Sequence, residues 1–169
     1  MTYNRLLWTV AAIGTALILL VQYDIRTLIE SSHSLETIPL LPGILHLTYL
    51  RSTAAFNRFG DVKPLLFLIR IGSILFIAAL TFVISWRLSQ VGKEMMKSLQ
   101  VGVGLFLAGA ISNTVEHILF NENAVFIDFR GFRVPVFNLA DIFIYVGLLI
   151  SVISILFLGI QFVAKQWQR

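Results

Sequence analysis

The chain has 169 residues, of which 57% are hydrophobic and 13% charged, and its mean hydropathy is +0.86. A soluble domain carries about 25% charged residues, so the apolar excess here must face lipid rather than water. The formal charge of +4 forms no dense basic patch, which argues against a nucleic-acid partner, and the lack of cysteine excludes a disulfide framework and a thiol nucleophile.

Four apolar runs approach the roughly 20 residues that a membrane-crossing helix needs: Leu6–Tyr23, Pro64–Trp86, Leu99–Phe120 and Leu139–Ala164. The first follows a single Arg5. No small-residue cleavage site comes after it, so it reads as a mature helix and not as a signal peptide. The prediction is one membrane domain over residues 1–169, all-α in its spans, a four-transmembrane-helix bundle with both termini on one side.

The first connection, about Asp24 to Lys63, is the longest. Alternation around Ile44, Leu45, Leu47 and Tyr49, with Pro39, Pro42 and Gly43 as turn punctuation, predicts a small β-ribbon or sheet on the membrane surface. The short connection with Arg87, Lys93 and Lys97, together with Arg5, Lys165 and Arg169, resembles cytoplasmic flanks. Arg26, Arg51, Arg58, Lys63, Arg130 and Arg133 fall on the other side, so charge alone leaves the orientation open.

In the third span, "AGAISNTVEHILF" places Asn113, Glu116 and His117 on one helical face. Gly102, Gly104, Ala108, Gly109 and Ala110 let a neighbouring helix approach, and Ser112 and Asn113 can hydrogen-bond to it. Glu116 needs a partner at that depth, because an isolated charge there costs at least a few kcal/mol (about 2.5–3.5). His117 or an arginine from a loop is the expected one. His33, His46 and His117 show no metal-binding spacing, so neither a metal nor a cofactor is expected.

The third connection reads "NAVFIDFRGFRVPVFNLAD", residues 123–141. Asn138 followed by Asp141 has the form of a capping box opening the fourth helix. Asp128 comes from the adjoining loop, where a solvated acid is unremarkable. Loops one and three of a four-span chain lie on the same face, so they can build one site together.

Taken in order, these residues resemble the lipoprotein signal peptidases, or signal peptidase II. That family runs as a first-helix Asp, "NxGAAF", "GNxxDR", "VVDF" and "FNxAD". This chain has Asp24, "RSTAAF" (51–56), "SNTVEH" (112–117), "FIDF" (126–129) and "FNLAD" (137–141). It departs from the pattern where Glu116 and His117 replace Asp-Arg, where Arg51 replaces the Asn, where Thr53 replaces the Gly, and where Leu28 replaces a usual lysine.

The resemblance implies an intramembrane aspartyl endopeptidase of the bacterial inner membrane with Asp128 and Asp141 as its catalytic pair. Asp24, Arg51, Asn113, Glu116, His117 and Asn138 would be the supporting or substrate-binding residues. The implied substrate is a precursor with a diacylglyceryl-modified cysteine, cut just before that cysteine at the extracytoplasmic face. The partners are then lipidated precursors and membrane lipids, and the protein is expected to be a monomer. Two carboxylates about 4 Å apart at an effective dielectric near 20 repel by about 4 kcal/mol, so such a pair shares one proton. Two other readings compete: a non-catalytic relative that binds lipidated precursors or partner helices, and a small four-span transporter.

Overall fold

The computed structural model describes residues 3–31, 37–52, 63–88, 93–120, 122–130 and 135–167. Among these are four long helices, α1 (Tyr3–Ser31), α2 (Lys63–Leu88), α3 (Lys93–Phe120) and α4 (Leu139–Trp167). Three short strands accompany them: β1 (Ile38–Leu41), β2 (Leu45–Ser52) and β3 (Asn123–Phe129). By length and apolarity α1, α3 and α4 can each cross a membrane, while α2 contributes a shorter apolar stretch at Ile71–Thr81.

The helices outrun the hydropathy windows. At 1.5 Å per residue, the 29 residues of α1 extend roughly 44 Å, well past a hydrocarbon core of about 30 Å. Backbone hydrogen bonding continues after apolarity ends, so Asp24 and Arg26 belong to α1 and not to the first connection.

The central helix is α3, with α1 and α4 against it. Small residues make that packing possible. A Cβ on Gly109 would collide with the carbonyl oxygen of Ala140 on α4, and one on Gly147 would collide with the backbone of Gly102 and Phe106 on α3. Toward α1, a Cβ on Gly104 would lie 2.8 Å from Val10 Cβ. Between helices in lipid, close van der Waals packing replaces the hydrophobic drive available in water. Leu7, Ala11, Met96, Leu99, Val103, Leu107 and Leu158 form the buried core. Outward-facing Leu17, Leu20, Leu75, Phe76, Leu149 and Phe157 are exposed, as lipid-facing side chains are.

The sheet is larger than a ribbon in the first connection. Its order is β1-β2-β3, antiparallel throughout, and its third strand is supplied by the connection between α3 and α4. The Asp128 segment, expected as a loop, is therefore a strand. Its alternation was hidden because both faces are apolar: Ala124 and Phe126 are buried, while Val125 and Ile127 on the other face are half-buried. Gly43, at φ 75°, closes the β1–β2 turn.

Candidate active site

Beyond β3 the chain doubles back. Phe137 forms an antiparallel bridge with Ile127, its N–H donating to Ile127 O (3.0 Å) and its carbonyl accepting from Ile127 N (2.8 Å). The Phe129 and Phe137 rings stack, with centroids 6.1 Å apart. This bridge sets Asp128, next along β3, beside the segment that enters α4.

At the start of α4 the capping box forms in both directions. The Asn138 N–H donates to Asp141 Oδ2 (3.1 Å), and the Asp141 N–H donates to Asn138 Oδ1 (3.0 Å). Capping does not compete with a chemical role. It fixes the carboxylate at the mouth of the helix, and Asn113 Nδ2 on α3 donates to its other oxygen at 3.0 Å.

Asn113 is the hub of a buried amide network. Its Oδ1 accepts from Asn138 Nδ2 (3.0 Å) and from Asn123 Nδ2 (3.0 Å), and Asn138 Nδ2 also donates to Ala124 O (3.1 Å). The α3 helix, the start of α4 and the strand carrying Asp128 thus meet in one amide network, whose Asn113 and Asn138 hold Asp141. Sequence reasoning does not single out Asn123, whose role depends on the fold bringing Asn113 beside it.

Asp128 has a different setting. Its Oδ2 accepts from Thr48 Oγ1 on β2 (3.3 Å) and from Arg130 Nε (3.0 Å). Arg130 also donates to Thr37 Oγ1 at 3.3 Å, and about half of its side chain is exposed. Asp128 thus sits at the border between the sheet and solvent, within reach of water.

Glu116 finds its cation on α1, not in a loop. Arg26 Nη2 lies 3.2 Å from Glu116 Oε1, and Arg26 Nη1 lies 3.1 Å from Glu122 Oε1. Gln22 Nε2 donates to Glu116 Oε2 (3.4 Å), and the Ala124 N–H donates to Glu116 Oε1 (3.2 Å). The Arg26 guanidinium also stacks over Phe120, 4.0 Å from the ring centroid. Beside this cluster a cleft of about 280 Å³ is lined by Leu19, Gln22, Tyr23, Arg26, Glu116, Leu119 and Phe120.

The other supporting residues divide. Asp24 is exposed on α1, where its backbone carbonyl accepts from Thr27 Oγ1 (2.9 Å). The α1 residues that turn inward are Gln22 and Arg26, two positions to either side, and 3.6-residue periodicity explains why. Leu28 is likewise exposed. His117 is half-buried. Arg51 pairs through its backbone with Ala124 in the sheet, while its side chain and the rest of the RSTAAF motif beyond Ser52 lie outside the described residues. Among the described residues, no group of three or more His, Asp and Glu side chains is placed to hold a metal ion.

Residues 13–157 match the family model described as signal peptidase (SPase) II. A lipoprotein signal peptidase of Microcystis aeruginosa is 34% identical over 157 residues, covering 89% of this chain and 92% of that protein. One from Gloeothece citriformis is 36% identical over 153 residues, with 88% and 87% covered. Among solved structures, a bacterial membrane enzyme determined by the in meso method at 1.9 Å resolution superposes with a TM-score of 0.57 at 22% identity, covering 86% of this chain and 92% of the other.

Proposed function

Because the chain belongs to the signal peptidase II family, we propose that it is an aspartyl endopeptidase that removes signal peptides from diacylglyceryl-modified prolipoproteins. Asp128 and Asp141 are the catalytic pair. One of them, ionised, takes a proton from a water molecule whose oxygen attacks the carbonyl carbon preceding the lipidated cysteine. The other, protonated, gives its proton to the carbonyl oxygen. Collapse of the tetrahedral intermediate breaks the C–N bond, and the departing amine takes up a proton. No acyl-enzyme forms.

The observation that carries this reading is the bridge between Ile127 and Phe137, which joins the strand bearing Asp128 to the capped helix start bearing Asp141. Both acids then lie at the end of the bundle where the sheet sits. In this account α2 is the fourth span, and residues 1–169 form one membrane-embedded domain in the bacterial inner membrane. The α2–α3 connection with Arg87 and Lys93, and the tail with Lys165, take the cytoplasmic side. The sheet and the aspartates face outward, where a lipidated cysteine sits at the membrane surface. Lipidated precursors and membrane lipids are the partners, and the enzyme works as a monomer.

The non-catalytic alternative drew on the replacement of Asp-Arg by Glu116-His117. The Arg26–Glu116 pair weakens it, since the buried acid keeps a cationic partner by recruiting one from α1. The test is gel-shift cleavage of a lipidated precursor peptide by the purified protein, with and without Asp128→Asn and Asp141→Asn.

A further inference from the structure

His46 stands directly opposite Asp128 in the β2–β3 ladder: the two are Cα partners in the register. Directly opposed residues of an antiparallel pair project to the same face, with Cβ atoms about 4.5–5.5 Å apart. Thr48, two residues along β2, lies on that face as well and donates its hydroxyl to the Asp128 carboxylate. The ring is not a surface group, since only 8% of His46 is exposed. Nonetheless its Nδ1 is enclosed and has no hydrogen-bond partner among the described residues.

A buried polar atom left in that condition is destabilising, so an apolar residue would serve the sheet better if packing were the only requirement. The location suggests what the ring is for. His46 lies on the same face of the sheet as Asp128, and in the proposed reaction that face receives an extended peptide segment with its own backbone N–H and C=O groups.

Resting on the functional reading above, we propose that the His46 ring, enclosed in the free enzyme, turns toward the bound precursor beside Asp128, with Nδ1 hydrogen-bonding to the peptide backbone next to the scissile bond. It is a positioning residue. It takes no part in the proton transfers, and it sets where the scissile carbonyl lies relative to the Asp128 carboxylate. Neutral imidazole can present Nδ1 as donor or acceptor, so either a substrate carbonyl or a substrate N–H satisfies it.

The test uses the full-length enzyme and a diacylglyceryl-modified precursor peptide, with His46→Asn, His46→Gln and His46→Leu compared by kcat, KM and thermal unfolding. An Asn amide reaches the position of Nδ1, a Gln amide reaches that of Nε2, and Leu fills the space without a polar atom. The expected result is kcat/KM within about threefold of wild type for His46→Asn. For His46→Gln and His46→Leu the loss is about tenfold or more, the value of one lost hydrogen bond, with a Tm no lower than that of wild type. Wild-type kinetics in His46→Leu would overturn the proposal, as would equal losses in all three variants. Should His46→Leu fail to fold, the contrast between Asn and Gln decides alone. Asp128→Asn is the control: if it is inactive while His46→Leu is fully active, only the His46 assignment falls, whereas an active Asp128→Asn removes the functional reading itself.

Discussion

Arg26 on α1 and Glu116 on α3 form a buried ion pair at 3.2 Å, with side chains 6% and 3% exposed. Glu116 also accepts the N–H of Ala124, the second residue of β3, so the pair ties α1 and α3 to the strand that carries Asp128. Removing one partner strands the other charge, which costs about 3–5 kcal/mol in a buried pair. Arg26→Ala is therefore expected to lower the Tm sharply in detergent. Arg26→Met combined with Glu116→Leu and Glu122→Gln, which leaves neither acid charged without its cation, should cost less than the single change. Equal Tm values for wild type and Arg26→Ala would contradict this role.

Asp24 provides the opposite expectation. The family resemblance casts it as the first-helix acid, yet it is exposed, and among the described residues the bonds of the Arg26–Glu116 cluster come from Gln22, Arg26, Glu122 and Ala124. Asp24→Asn should leave stability within about 0.5 kcal/mol of wild type and cleavage nearly unchanged. Gln22→Leu removes a hydrogen bond to Glu116 and should do measurable harm. A Tm and activity comparison of these two variants separates the positions.

Asn138 has two jobs, and losing it should show both. Asn138→Ala removes the N-cap of α4, worth about 0.5–2 kcal/mol, and the donor to Asn113 Oδ1. The variant should unfold at lower denaturant or temperature and cleave at least tenfold more slowly. Asn138→Asp keeps the cap acceptor but not the amide donor, so it should recover stability better than activity. Parallel unfolding and cleavage assays would show whether the two effects separate.

Close packing of α3 on α4 can be probed at Gly109. A Cβ there meets the Ala140 carbonyl oxygen, one residue before Asp141. Gly109→Ala should cost about 1–3 kcal/mol through overpacking, and by displacing the start of α4 it should depress cleavage as well. Gly72, whose Cβ would meet nothing within 4 Å, is the control, although alanine there also gains helix propensity. If both alanine variants behave alike, the close approach is not limiting.

Much of this arrangement was legible in the residues. The apolar runs located the helices, small residues in α3 marked its contact faces, and the Asn138–Asp141 spacing announced the capping box. What stayed hidden depended on long-range partners. The strand character of 123–129 was masked by apolarity on both faces, and its pairing with β2 joins segments separated by more than 70 positions in sequence. Arg26 reads from the sequence as a basic residue of the first connection because the hydropathy window ends before it, whereas the helix does not. Asn123 gave no local signal, since its role appears only once Asn113 lies beside it.

The central claim is that Asp128 and Asp141 act together on one peptide bond. It is tested most directly by incubating purified wild type, Asp128→Asn and Asp141→Asn with a diacylglyceryl-modified precursor peptide and following the cleaved product on a gel, with thermal unfolding measured on the same samples. The account predicts cleavage by wild type and none detectable by either variant, each of which remains folded. Near-wild-type cleavage by either Asp→Asn protein would contradict it.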